Sequence, residues 1–201
     1  MSFEKYLSTK KALIITLDDA LYPKKDYLLQ VYYLFAEFIE YSEQINAKAV
    51  IDFMSEYYTE KGEEELFNKT AAKFNIPGKY EHNFNLLFET ARLPLKLLLF
   101  QKILELLQEV VINRKQLFIL AEGNPAEAIN KIKQIEWNGL EKYLKLYFTV
   151  EYNNDVDETI AHLLKEHGFG KEETIVFLSP DQYANSTVDS MIKKVSVTEI
   201  L

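Results

Sequence analysis

The chain has 201 residues, 48% of them apolar and 27% charged, with a net charge of −8. These are the proportions of an ordinary globular protein with room for one α/β core and a modest insertion. The acidic balance argues against nucleic acid and anionic membrane as partners, and the absence of cysteine removes disulfides, thiolate metal sites and thiol catalysis together.

From the start, Met1 to Lys11 is polar and basic and lacks the apolar core of a signal peptide, so a cytoplasmic location is expected. A first strand is expected over residues 11–17, a short apolar run that ends in the acidic turn Asp18-Asp19. Adjacent carboxylates at a strand end are costly unless they bind something or accept hydrogen bonds, and ligands of open α/β sheets sit at that end.

Between Lys24 and Arg92 the periodicity turns helical. One helix is marked by Tyr27, Val31, Leu34, Phe35, Phe38 and Ile39, and a second by Val50, Phe53, Met54 and Tyr57 before Gly62. A third follows at Leu66, Phe67, Thr70, Ala71 and Phe74, and a fourth at Phe84, Leu87, Phe88 and Ala91. Most of the aromatic residues between Tyr22 and Phe100 fall on these helices and are expected to form their core.

A long helix over residues 95–111 should lead back to the sheet; its interspersed charges exclude a membrane span. A second strand over 116–121 runs into Ala121-Glu122-Gly123-Asn124-Pro125, a helix start with Asn124 as cap, Pro125 in the first position and Glu127 placed for a capping box. Further strands are expected at 146–150, 174–178 and 195–198, with a helix over 158–166. Strands alternating with helices imply a parallel sheet, and the first strand should be central.

The run Ile14-Ile15-Thr16-Leu17-Asp18-Asp19-Ala20 resembles the first motif of the haloacid-dehalogenase (HAD) superfamily of phosphatases and dehalogenases, Asp-x-Asp-x-Thr after a hydrophobic strand. Its matching positions are Thr16, Asp18 and Ala20, so the aspartate that serves as nucleophile in that family is replaced. The segment Glu127 to Tyr152 is similar to one bacterial branch of the superfamily. The resemblance implies a Rossmannoid, parallel five-stranded sheet over residues 1–23 and 93–201, with an α-helical cap over 24–92. Ala121 stands where the family has Thr or Ser, and Asn154 where the third motif has Lys. In the fourth motif Pro180 and Ala184 replace two acids, while a register shifted by one places Asp181 at the metal-ligand position.

Phosphatases of this family need a carboxylate nucleophile, an acid/base carboxylate two residues on, magnesium held by oxygen ligands, and a hydroxyl and a lysine around the phosphoryl group. Of these the chain keeps Asp18 as the remnant acid/base. A phosphothreonine formed on Thr16 would be an ordinary ester and would not turn over as an acyl phosphate does. The resemblance therefore implies a catalytically degenerate HAD-like homologue, a binding or regulatory module for a small ligand or a protein. No cofactor is expected, with Mg²⁺ entering only in the register that uses Asp181.

Two alternatives stand beside it. One is a HAD-like hydrolase with altered chemistry using Asp18, Glu122 and Asp181. The other is a structural protein that binds a partner through the aromatic-rich cap. Gly123 and Asn124 are placed to offer backbone amides at a helix start, and Asp19 to serve the turn. His82, His162 and His167 lack metal-binding spacing.

Overall fold

A computed structural model describes residues 3–201; residues 1 and 2, the start of the expected core segment, lie outside the described residues. The chain divides into two compact units. One contains residues up to Lys24, Leu97–Ala128 and Ile135–Leu201, and the other Lys25–Lys96 with Ile129–Gln134.

The first unit begins with a short helix, α1 (Glu4–Leu7), and the strand β1 (Ala12–Thr16), all five residues of which are buried. Burial on both faces is what permits Ala-Leu-Ile-Ile-Thr to run without polar alternation. Helix α2 (Lys24–Glu43) leaves this unit for the second, and the chain returns through the two-residue strand β2 (Leu97–Leu98) and helix α6 (Gln101–Ile112). Then follow β3 (Gln116–Ala121), α7 (Pro125–Gln134), the two-residue β4 (Ile135–Glu136), β5 (Leu144–Phe148), α8 (Val156–His167), β6 (Thr174–Leu178), α9 (Pro180–Ala184) and β7 (Lys193–Ser196).

The main sheet has the order β5-β3-β1-β6-β7 and every pairing is parallel, so β1 is central as expected. The register pairs Thr16 with Leu120 and Ile15 with both Ile119 and Phe177. The carboxyl ends of the three middle strands therefore finish level, with Thr16, Ala121 and Ser179 at one rim. One face is covered by α8, where Ile160, Leu163 and Leu164 join Ile14, Phe118 and Val176 in a buried cluster.

Three expectations need correction. Strand β5 ends two residues early, at Phe148, because the chain turns through Thr149–Tyr152 into Asn153 and Asn154, both left-handed with φ of 56° and 58°. Asparagine is among the few side chains that adopt this conformation readily. Strand β7 likewise ends at Ser196, where the Glu199 side chain accepts the Ser196 amide and folds residues 197–199 into a turn. The helix expected from Leu95 starts only at Gln101. Leu97 and Leu98 pair in parallel with Ile135 and Glu136, and the Phe100 amide donates to the Leu21 carbonyl.

The second unit holds most of α2 together with α3 (Ala47–Lys61), α4 (Leu66–Phe74) and α5 (Glu81–Thr90). Asn46 caps α3 through the Ala49 amide, and Gly62, at φ 79°, ends it. Phe84 sits at the centre of this unit, with ring centroids 5.0 Å from Phe35, 5.2 Å from Phe88 and 5.7 Å from Phe67. The segment Ile129–Gln134 joins this unit through polar contacts. Buried Gln134 accepts the Leu93 amide at 2.7 Å and donates to the Ala91 carbonyl at 2.6 Å. Among the described residues no helix is long and apolar enough to cross a membrane.

Tyr32 stacks on Phe84 with no solvent exposure, and its hydroxyl has no hydrogen-bond partner. Burial drives its phenol far above the ordinary range, so it stays neutral. A buried, unpaired hydroxyl destabilises, and Tyr32→Phe removes it while keeping the ring. Denaturant unfolding should therefore show Tyr32→Phe to be about 1 kcal/mol more stable. A comparable loss of stability would reveal a bound water serving that hydroxyl.

Candidate functional site

The rim is built around a turn that uses both of its aspartates. After β1 the chain reverses through Asp19, which is left-handed at φ 56°. The Asp19 amide donates to the Tyr22 carbonyl at 3.0 Å. Half-buried Asp18 accepts the Tyr22 phenol at 2.6 Å, and Asp19 accepts the first amide of α2, that of Lys24, at 2.8 Å. Asp18 is thus a structural acceptor in this arrangement, and Asp19 caps a helix.

Asp19 holds its proton more tightly than a usual carboxyl. The residue as a whole is exposed, and partial burial of its carboxyl is the main cause; the negative charges of Asp18 and Asp181 add to it, against the Lys24 amide and ammonium. Asp181 lies in the first turn of α9, exposed to solvent, and this electrostatic effect ties it to the aspartate turn. Among the described residues, no three His, Asp or Glu side chains gather in a way that would hold a metal ion.

The centre of the rim is occupied by a side chain that carries no motif signal. Gln182, in α9, reaches over the end of β1, where its Oε1 accepts the Thr16 hydroxyl at 2.6 Å and the Ser179 amide at 3.2 Å. The Thr16 hydroxyl in turn accepts the Ser179 amide at 3.3 Å. On its other side the Gln182 Nε2 donates to Glu122 Oε1 at 2.5 Å. Ser179 and Gln182 also form a reciprocal capping box with Pro180 at the first helical position. That box was readable in Ser179-Pro180-Asp181-Gln182, but nothing local shows that the same carboxamide also bridges Thr16 and Glu122.

The remaining candidates are spread around this bridge. Ala20 and Ala121 are buried, and Pro180 and Ala184 are the exposed ends of α9. Asn124 uses its side chain to cap the Ala126 amide at 2.9 Å, and Gly123 precedes it at φ 75°. Asn154 is exposed within its own turn, its amide held by the Thr149 carbonyl at 2.9 Å. His82 is exposed on α5; His167 instead lies within 2.9 Å of the Tyr147 hydroxyl, which donates to Glu166 at 2.6 Å, and His162 is 3.7 Å from Glu166. Beside Gln182 a cleft of about 170 Å³ opens, lined by Glu122, Val156, Leu178, Asn185, Ser186 and Thr187.

Donor order makes the bridge directional. Glu122, as a carboxylate, only accepts, so the Gln182 amide must turn its NH₂ that way and its oxygen towards Thr16, which must then donate. Thr16→Asp would confront oxygen with oxygen and should cost about 1–3 kcal/mol. Adding Glu122→Gln lets the amide reverse and should recover much of that loss, which a double-mutant cycle of denaturant midpoints measures.

A second test concerns the turn. Asp19 has a raised pKa in the folded protein, so the native state keeps the proton longer than the unfolded chain, and this group's contribution to stability falls as pH rises through the carboxylate range. Asp19→Asn keeps the acceptor for Lys24 and suits a left-handed residue. The variant should melt higher than the parent at neutral pH, with the difference shrinking below about pH 4.

No protein-family model matches the chain, and no curated protein matches it in sequence. Solved structures do share its fold. A Thermotoga maritima protein provisionally named as a beta-phosphoglucomutase superposes with a TM-score of 0.61 at 17% identity, over 95% of this chain and 96% of the other. A hydrolase from Streptococcus pneumoniae gives 0.54 at 12% identity, with the same coverage of both chains. A HAD family hydrolase from Deinococcus radiodurans, solved with phosphate and sodium bound, gives 0.51 at 12% identity, over 85% of this chain and 73% of that one. The strand order and these likenesses together show that the chain has a HAD-like fold.

Proposed function

We propose that this chain is a HAD-like homologue that has lost phosphatase chemistry and uses its strand-end site for binding, as a ligand-responsive or regulatory module. The observation that carries the reading is the Thr16–Gln182–Glu122 bridge. The position matching the family's nucleophile bears a hydroxyl, and that hydroxyl is committed as donor to a neighbouring amide. A nucleophile needs its lone pair directed at the reacting atom, with a base to take its proton. An amide oxygen is too weak a base for that role.

Magnesium does not fit the donors present. It demands near-octahedral oxygen ligation, typically with one or two carboxylates on the ion. Here Asp18 is hydrogen-bonded to Tyr22, Asp19 caps α2, and Pro180 and Ala184 contribute no side-chain oxygen. The lysine of the third motif has an exposed asparagine, Asn154, in its place. The net charge of −8 favours a small molecule or a protein as ligand over nucleic acid or an anionic membrane.

The rival reading, an enzyme with altered chemistry, draws support from Asp19. A carboxyl whose proton is held by burial and by two neighbouring carboxylates resembles the environments that tune acids for catalysis. Its engagement with the Lys24 amide weighs against it. The two readings separate in a phosphatase assay on the purified chain with aryl and sugar phosphates at millimolar magnesium. Rates should stay at background. Magnesium-dependent turnover that Asp18→Asn abolishes would overturn the proposal and establish the rival.

Repair should need the bridge opened as well. Thr16→Asp, Ala121→Thr, Asn154→Lys and Pro180→Asp together restore the motif residues, yet Gln182 still lies against the new carboxylate. Gln182→Ala belongs in the same variant, and activity is expected only with it, if the protein folds.

A further inference from the structure

The cleft beside the bridge has a composition that selects its ligand. One N–H of the Gln182 amide goes to Glu122, and one of the Asn185 amide to the Asp181 carbonyl at 2.9 Å. The Ser186 hydroxyl is engaged by the Val188 amide at 3.1 Å. The acceptors that remain, among the described residues, include the second oxygen of Glu122, the side-chain oxygen of Asn185 and the Thr187 hydroxyl. Glu122 and the Asn185 oxygen only accept, and the hydroxyls of Ser186 and Thr187 serve either way. No lysine or arginine lines the cleft, and nearby Lys194 is occupied by the Ser186 carbonyl at 3.2 Å and the Tyr183 ring. Val156 and Leu178 supply the apolar wall. At about 170 Å³ the space holds several water-sized groups and is well below the range of drug-sized sites.

A phosphate ester would meet a carboxylate here and no cation. An ammonium group would meet a carboxylate and two further oxygens, and a short alkyl chain would cover the apolar wall. We propose that this cleft binds a small primary ammonium ion, its N–H groups shared among Glu122, Asn185 and Thr187 and its alkyl part against Val156 and Leu178. The inference rests on the binding-module reading and gives that module a ligand class.

The test is a calorimetric titration of the full chain at fixed ionic strength with butylammonium, with tetramethylammonium, which matches it in size and charge but has no N–H, and with inorganic phosphate. Butylammonium should saturate with a dissociation constant on the order of 1 mM, as befits so small a ligand. Tetramethylammonium should bind at least about tenfold more weakly, and Glu122→Gln should weaken butylammonium by a similar factor. Thr187→Val should weaken it severalfold without disturbing the bridge, and it carries the test if Glu122→Gln fails to fold. The proposal is overturned if butylammonium does not saturate, if tetramethylammonium binds equally well, if phosphate binds more tightly, or if Thr187→Val and a folded Glu122→Gln both leave affinity unchanged. Absent amine binding with phosphatase rates at background removes only the ligand class. Magnesium-dependent turnover removes the binding-module reading beneath it.

Discussion

A polar group at the end of a fully buried strand must find its hydrogen bonds inside the protein, and Thr16 is that group here. Its side chain is 1% exposed between two parallel neighbours, so water cannot satisfy it. The solution places Ser179 and Gln182 above it, and that choice propagates. The Ser179 amide is shared between Thr16 and Gln182, the Ser179 side chain caps α9, and the amide of Gln182 acquires a direction that Glu122 then enforces. A catalytic carboxylate at the same position would demand donors and a cation, and the surroundings would have to be rebuilt in the opposite polarity.

The aspartate turn follows the same logic in charge. Partial burial and the charges of Asp18 and Asp181 raise the cost of ionising Asp19. The hydrogen bond from the Lys24 amide offsets that cost, and Tyr22 donates to Asp18. Each acidic residue at this strand end thus accepts a hydrogen bond within its own turn. The same residues also leave the rim electronegative, the common ground between the turn and the neighbouring cleft.

How much of this could be read from residues alone depends on burial. The strands β1, β3 and β6 stand out because continuous apolar runs bounded by turn residues signal burial on both faces. The outer strands β5 and β7 are partly exposed, their pattern is weak, and their ends are set by an Asn-Asn turn and a Ser–Glu box. At the rim, motif comparison marked Thr16, Asp18 and Asp181 but not Gln182, because a hydrogen bond across 166 residues leaves no spacing to recognise. Charge shows the same limit. No run of basic residues marks the sequence, yet Lys193 donates to the Lys5 carbonyl at 2.9 Å and lowers the pKa of Lys10 alongside burial, so lysines from remote segments do meet.

The helical unit also contains residues that arrive late in the chain. Its four helices are complete once Thr90 has been made, but Gln134, which ties down Ala91 and Leu93, lies 41 residues beyond Leu93. Between them come β2, α6 and β3 of the other unit. During synthesis from the ribosome, where domains generally fold as they emerge, this helical body cannot be completed until residue 134 has been made. Its last polar clamp can close only after β3 of the other unit has been made.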